Sequence, residues 1–291
     1  MQPQRGCGIK NIEHMQNGIK NYAGYLPEVC KLAQIAGAKI LELYPHAAEQ
    51  KIGCKPDKTF LTKADLASNE IITEGLKKIA PDIPILSEEG EEVPFAVRKE
   101  WERLWVVDPL DGTGEFLKHS DEFVVNIALV ENHRPVLGVT FSPPKQICYC
   151  AAINFGSFKE NLRTHEKVKL QTHKISPNEK MQIAVSKYAG IGRYAKFFAA
   201  LGEYELSYLA CSIKLCFIAE GLYDVYPRCG ANYEWDTAAG QCILEQAGGV
   251  LCDWQLQPLQ YNTQESLQSP PFLAVGDISF PWKEYINLCN G

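Results

Sequence analysis

Residues 105–114 read Trp105-Val106-Val107-Asp108-Pro109-Leu110-Asp111-Gly112-Thr113-Gly114. The run Leu104–Val107 has the composition of a buried strand. It ends in two carboxylates, Asp108 and Asp111, followed by a threonine between glycines, which suits a turn into a helix start. Carboxylates plus a backbone carbonyl are the hard oxygen ligands that Mg²⁺ prefers, and helix-start N–H groups suit a phosphate oxygen. Metal and anion sites side by side are what metal-assisted phosphoryl transfer requires.

Two further segments carry carboxylates where a strand gives way to a loop or helix. Leu86-Ser87-Glu88-Glu89-Gly90 follows the strand-like Ile83–Leu86, and Glu234-Trp235-Asp236-Thr237-Ala238-Ala239 precedes a helical pattern through Ala247. Each has a mundane reading on its own. Glu88 and Glu89 open an acidic run with Glu91 and Glu92, and such runs are usually solvated. Asp236 would serve as a helix N-cap, and Asp111-Gly112 is a common turn dipeptide. The three together point to a shared carboxylate pocket.

The bulk properties narrow the class. The chain has 291 residues, a net charge of −6 and 22% charged residues. Its length favours two subdomains over one unit, and its acidity argues against a nucleic-acid partner. No segment approaches the ~20 apolar residues that span a bilayer, and the N-terminus lacks a basic start ahead of an apolar stretch, so no signal peptide is expected. Eleven cysteines, none in a CxxC pair, read as reduced, mostly buried thiols of a cytoplasmic protein. The six histidines lack HxH or HExxH spacing, which argues against zinc.

Residues 1–20 are polar and expected to be loosely ordered. Helical spacing covers Pro27–Tyr44 and about Ala64–Ile79, the latter ended by Pro81. Strand-like runs follow at Ile83–Leu86, Leu104–Val107, Phe123–Val130 and Val136–Phe141, the last two flanking the turn signal Asn132-His133-Arg134-Pro135. Residues 157–178 are polar and rich in Lys and His. A boundary near Lys174–Pro177 would divide a subdomain of residues 1–174 from one of 175–291. Beyond it, candidate strands and helices alternate at Gln182–Val185, Tyr194–Leu201, Ile213–Glu220, Trp235–Ala247 and Val250–Asp253, suggesting α/β layering.

Taken in order, Thr62-Lys63-Ala64-Asp65, Glu88-Glu89, Asp108-Pro109-Leu110-Asp111-Gly112-Thr113 and Trp235-Asp236-Thr237-Ala238-Ala239 resemble the motifs of the inositol monophosphatase superfamily of lithium-sensitive phosphatases. Within it the sequence is most similar to the bacterial 3'(2'),5'-bisphosphate nucleotidase branch. Ser212-Ile213-Lys214, leading into a strand-like run, and Asp224-Val225-Tyr226-Pro227-Arg228 resemble that branch's segments for the substrate's second phosphate. Three departures bear on substrate recognition and none on a metal carboxylate. Ala210-Cys211 replaces Gly-Ser, Ser186-Lys187-Tyr188-Ala189 stands where the branch has Ser-Arg-Ser-His, and Gly114 follows Thr113 where Lys or Thr is usual.

The resemblance implies an α/β (α+β) fold, a layered αβαβα sandwich with an antiparallel-sheet half, an α/β half and the site between them. It implies that Glu88, Asp108, Asp111, Asp236 and the carbonyl of Leu110 hold two Mg²⁺ ions, with a third, weaker one near Asp65 and Glu88. Thr113 with Glu88 or Asp65 would orient the attacking water, and Gly112 and Thr113 would hold the phosphate through their N–H groups. Ser186, Ser212, Lys214 and Arg228 would bind the rest of the substrate, adenosine 3',5'-bisphosphate. No covalent intermediate is implied. Monomer and homodimer both stay open.

Three rival readings share parts of this pattern. Haloacid-dehalogenase phosphatases use D-x-D-G-T with the first Asp as nucleophile. Here the motif is one residue too long, and Pro109 occupies the slot. A non-catalytic phosphonucleotide sensor is disfavoured because every carboxylate is kept. An inositol monophosphate or polyphosphate phosphatase would use the same chemistry on another substrate.

Overall fold

A computed structural model describes residues 21–54, 60–177 and 179–290, so the expectation for residues 1–20 lies outside the described residues. In chain order the first elements are α1 (Leu26–Leu43), β1 (Lys51–Cys54), β2 (Phe60–Thr62), α2 (Lys63–Ile79), β3 (Ile85–Ser87), α3 (Phe95–Arg98), β4 (Arg103–Asp111) and α4 (Thr113–Leu117). Five strands follow: β5 (Val124–Glu131), β6 (Arg134–Ser142), β7 (Ile147–Ala152), β8 (Gly156–Asn161) and β9 (Glu166–Lys169). Next come β10 (Met181–Ser186), α5 (Ala195–Leu201), β11 (Tyr204–Leu209), α6 (Ile213–Ala219), β12 (Val225–Arg228) and α7 (Glu234–Ala247). The chain closes with β13 (Val250–Asp253), β14 (Phe272–Val275) and α8 (Trp282–Asn290).

Strands β3 to β9 form one seven-stranded sheet in sequence order, antiparallel except for the parallel β3–β4 pair. A five-stranded sheet has the order β11-β10-β12-β14-β13. Its β10 runs parallel to β11 and β12, while β14 is antiparallel to β12 and β13.

The two-residue period of a strand sends alternate side chains to opposite faces, and here both faces are buried. Trp105, Val107, Val125, Ile127 and Leu129 pack with Val29, Ala36, Ile72 and Leu76 of α1 and α2. Their neighbours Leu104, Val106, Ala128 and Val130 pack with Ala238 and Ala239 of α7. On the far side, Phe197, Phe198, Trp282 and Ile286 of α5 and α8 cover Ile183, Val185, Val225 and Leu273 of the smaller sheet. Helices α6 and α7 lie between the sheets, so the layers run α, β, α, β, α.

Gly138 of β6 makes that central layer possible. A Cβ there would lie 2.3 Å from the carbonyl oxygen of Ala239, so α7 rests directly on the strand's backbone.

Several expectations need correction. Ile213–Ala219 is a helix, not a strand. Its Ile213, Leu215, Cys216, Ile218 and Ala219 are all buried, so wrapping in apolar partners erases the helical period. Residues 157–169, read from the sequence only as polar, hold most of β8 and all of β9. β9 is a lysine-bearing edge strand exposed at every residue, and edge strands carry such charge. The hairpin turn is Asn132-His133 alone, both with positive φ, because Arg134 already pairs with Glu131.

Candidate functional site

The acidic pocket begins with an irregularity in β4. Asp108 pairs with Asn126 and Asp111 with Val124, so three steps on β4 face two on β5. In a regular strand, residues three apart point to opposite faces. The extra residue of this bulge restores them to the same side, with Pro109, which has no N–H to offer, at the irregular position. The freed Pro109 carbonyl accepts from Ser68 Oγ of α2 at 2.8 Å.

Asp236 arrives from the other half of the molecule. It is the third residue of α7 and accepts from the backbone N–H of Tyr233 at 2.7 Å in a capping box, rather than sitting at the N-cap itself. One carboxylate oxygen from each of Asp108, Asp111 and Asp236 lies within 4.8 Å of the others. Glu88, whose N–H donates to the Val107 carbonyl, lines the same cleft.

Burial first, then the mutual charge of Glu88, Asp111 and Asp236, holds Asp108 well above the ordinary carboxylate range. Burial and the charges of Asp111 and Glu88 push Asp236 up as well. Asp108 Oδ1 accepts from the Leu110 N–H at 3.0 Å, whereas its buried Oδ2 has no hydrogen-bond partner.

Asp65 stands one step behind the cleft. It closes a capping box on Thr62 at the start of α2 and accepts from Thr113 Oγ1 at 3.0 Å. Burial, with a contribution from Glu89, raises Asp65 to about 6 against hydrogen bonds from Thr62 and Thr113. Thr113 Oγ1 is also 3.2 Å from the Leu110 carbonyl. Gly112 is left-handed at φ 98°, and a Cβ there would meet the Glu122 carbonyl at 2.8 Å. The turn therefore requires glycine.

A cleft of about 510 Å³ brings together Glu88, Asp108, Leu110, Asp111, Gly112, Thr113, Ser186, Ser212, Lys214, Arg228 and Asp236. Of the residues given a site role in the sequence analysis, only Asp65 lies outside its lining. Lys214 is buried beneath the Tyr226 ring, its Nζ 4.9 Å from the centroid. It donates to the carbonyls of Cys211 and Leu209. Arg228 donates to the Ala231 carbonyl at 2.8 Å, and its buried Nε has no partner. Ser212 Oγ is held by Asn126 Nδ2 at 2.9 Å.

Sequence reasoning missed a second group on the rim. Tyr188, 66% exposed, donates through its hydroxyl to Glu115, which also accepts from Ser120 Oγ, Lys118 Nζ and Lys187 Nζ. On another wall the Tyr233 and Trp235 rings stack at 5.0 Å and 8°. Tyr188 follows directly on Ser186-Lys187. That signal was present as a departure from the nucleotidase pattern, without any hint of the Glu115 tether.

A model of the inositol monophosphatase family matches residues 25–278. The chain belongs to the inositol monophosphatase family. This family member is 37% identical over 247 residues to the 3'(2'),5'-bisphosphate nucleotidase CysQ of Escherichia coli O157:H7, an alignment covering 85% of this chain and 98% of that one. Its fold matches the crystal structure of CysQ from Bacteroides thetaiotaomicron, described as a bacterial member of the inositol monophosphatase family. The TM-score is 0.75 at 34% identity, covering 88% of this chain and 98% of the other. The inositol monophosphatase of Anabaena (Nostoc) shares the fold at a TM-score of 0.71 and 24% identity, covering 93% and 96%.

Inositol monophosphatase family proteins are generally metal-dependent, and the acidic cluster of this member fits a metal. Its donors are hard oxygens of the type divalent cations take. The unpartnered Asp108 Oδ2 and the mutual repulsion of the carboxylates are both relieved by a cation.

Proposed function

We propose that this family member is a Mg²⁺-dependent phosphomonoesterase. It hydrolyses the 3'-phosphate of adenosine 3',5'-bisphosphate to AMP and inorganic phosphate. The observation that carries this reading is the placement of Lys214 and Arg228 in the same cleft as the acidic cluster. A substrate with two phosphates needs a cationic site apart from the reacting one. The nucleotidases at 34–38% identity support the same substrate.

Glu88, Asp108, Asp111, Asp236 and the Leu110 carbonyl would hold two Mg²⁺ ions, with a third, weaker one near Asp65 and Glu88. Bound Mg²⁺ supplies Lewis-acid polarisation and lowers the pKa of water. The chain's own residues do the rest. Thr113 Oγ1 donates to Asp65, which turns its lone pairs toward the cleft and lets it accept a hydrogen bond from the attacking water. Asp65, at about 6, is poised to receive a proton through Thr113 near neutral pH, and Glu88, which lines the same cleft, would share that task. The water oxygen bonds to phosphorus as the ester P–O bond breaks in line; one water proton passes to Asp65 through Thr113, and the leaving ribose 3'-oxygen takes up a proton from solvent in the cleft. The N–H groups of Gly112 and Thr113, at a helix start without intrahelical partners, hold the phosphate oxygens.

Lys214 spends two of its three donors on carbonyls, leaving one for the uncleaved phosphate, and Arg228 offers its fork beside it. Ser186 and Ser212 bind the remaining polar groups. The Tyr188 ring and the Tyr233–Trp235 stack give the cleft aromatic faces that suit a nucleobase better than an inositol ring.

Among the described residues no helix is long and apolar enough to cross a membrane. Eight described cysteines are free thiols, which supports a reducing, cytoplasmic setting. Phosphate release from adenosine 3',5'-bisphosphate, AMP and inositol 1-phosphate, with and without Mg²⁺, tests the assignment. Faster hydrolysis of inositol 1-phosphate would replace it with the inositol-phosphatase reading. Li⁺ at millimolar concentration should inhibit, and unaffected turnover would place the enzyme outside the lithium-sensitive group.

A further inference from the structure

Arg98 is 1% exposed and Asn262 is fully buried. An arginine is rarely buried so completely without a structural task. Its guanidinium rests on the Phe95 ring at 4.9 Å. It donates to Asn262 Oδ1 at 2.7 Å and to the carbonyls of Gln264 and Glu265 at 2.8 and 2.5 Å. Asn262 returns a hydrogen bond from Nδ2 to the Arg98 carbonyl at 2.6 Å. The backbone N–H of Asn262 donates to both carboxylate oxygens of Glu234, each at 2.9 Å.

Glu234 is the first residue of α7, two before Asp236. The same loop grips that helix start twice more. Glu234 N–H donates to the Leu267 carbonyl at 2.9 Å, and Ser269 N–H to the Asn232 carbonyl at 2.8 Å. Tyr233 and Gln268, which pair as an antiparallel bridge between these bonds, both line the cleft. Arg98 itself lies in α3, in the stretch that follows Glu88 and Glu89. A buried chain of hydrogen bonds thus runs from Arg98 in the first half of the molecule through Asn262 to Glu234, and residues 267–269 add backbone bonds to the turn that precedes Asp236.

We propose that Arg98 is a positioning residue for the metal cluster: through Asn262 it fixes the 262–269 loop, and so holds Asp236 against Asp108 and Asp111. This rests on the reading of the cluster as a Mg²⁺ site. Asp108 and Asp111 are fixed to each other by one strand, whereas Asp236 comes on a separate helix. Without a cation the three repel, so something must hold α7 in place for the site to be preorganised. A cage loosened at one ligand binds its ion less tightly, but once filled at high metal concentration it regains its geometry. The lesion therefore falls on metal affinity and spares turnover at saturation.

Arg98→Lys keeps the charge and stem but loses the fork. Asn262→Gly removes the side-chain link, keeps the N–H to Glu234 and suits the residue's positive φ of 55°. Binding of Mn²⁺ alone, followed by electron paramagnetic resonance on the folded proteins, should weaken about tenfold in each, within the range usual for outer ligands. Turnover and substrate KM at saturating Mg²⁺ should stay near wild type. A lowered melting temperature with unchanged Mn²⁺ affinity would make Arg98 merely structural and overturn the proposal, as would lost turnover at unchanged affinity. Should Arg98→Lys not fold, Asn262→Gly decides alone. Wild-type protein that binds no Mn²⁺ would instead remove the metal reading on which the inference stands.

Discussion

The backbone N–H of Ser212 donates to Asp111 Oδ2 at 2.5 Å, so one carboxylate joins the end of β4 to the start of α6. The segment 209–214, proposed to face the substrate, is thereby positioned by a proposed metal ligand. Asp111→Asn should fold normally, its carbonyl oxygen keeping the bond to Ser212. Its amide would then present N–H groups to Asp108 and Asp236, where an anionic oxygen is required. Turnover at saturating Mg²⁺ should fall by roughly three powers of ten. A folded variant keeping more than about a tenth of wild-type turnover would rule out the ligand role.

Lys214→Ala should separate the two phosphates. A hydrogen bond to a charged group is worth ~1.5–3 kcal/mol, so kcat/KM for adenosine 3',5'-bisphosphate should drop roughly tenfold to a hundredfold. A substrate with one phosphate should lose much less, limited to the loosened carbonyls of Leu209 and Cys211. Arg228→Lys should also be costly, because lysine cannot copy the guanidinium fork. Equal losses on both substrates for Lys214→Ala would show that Lys214 only supports the loop.

Gly138→Ala probes a position outside the cleft lining. The new methyl would collide with the Ala239 carbonyl, forcing α7 off β6. Overpacking of this kind costs ~1–3 kcal/mol, read as a lower urea midpoint. Because α7 carries Asp236, activity at limiting Mg²⁺ should fall further than the unfolded fraction explains. A variant as stable as wild type would mean that the layers slide apart without cost.

Acid stability should report on Glu115. Burial would raise its carboxyl, but hydrogen bonds from Ser120, Tyr188, Lys187 and Lys118 outweigh that and bring it down to about 2 from 4.5. A depressed folded-state pKa contributes stability above the ordinary value and loses it as pH falls toward the folded one. The stability gap between wild type and Glu115→Gln should therefore close between pH 4.5 and about 2. A gap that is constant across that window, measured by urea unfolding, would contradict the assignment.

The acidic motifs were legible because short local rules write them. A strand ending in Asp-Pro-x-Asp-Gly-Thr needs its proline at the bulge and its glycine at positive φ, whereas Thr62-Lys63-Ala64-Asp65 was found by resemblance and only the structure shows it to be a capping box. Helices α1 and α2, amphipathic and half-buried, were legible for the same reason. What failed depends on partners distant in the chain. Ile213–Ala219 lost its helical period to burial from both sheets, and β9 hid its pairing behind exposed lysines. The tether of Tyr188 to Glu115 spans 73 residues, and Arg98 to Asn262 spans 164. No local pattern encodes either. Lys214 and Arg228 were found by resemblance, but their carbonyl partners were not.

The acidic site also has an order of assembly written into the chain. Asp108 and Asp111 lie on β4 and Glu88 directly follows β3, in a sheet complete by Lys169, while Asp236 lies on α7, behind β10 to β12. During synthesis the first three carboxylates would meet well before the fourth leaves the ribosome. A growing chain would thus carry three of the proposed metal ligands before the helix that supplies the fourth. On the proposed metal reading, tight capture would wait until α7 has been made and the central layer has docked.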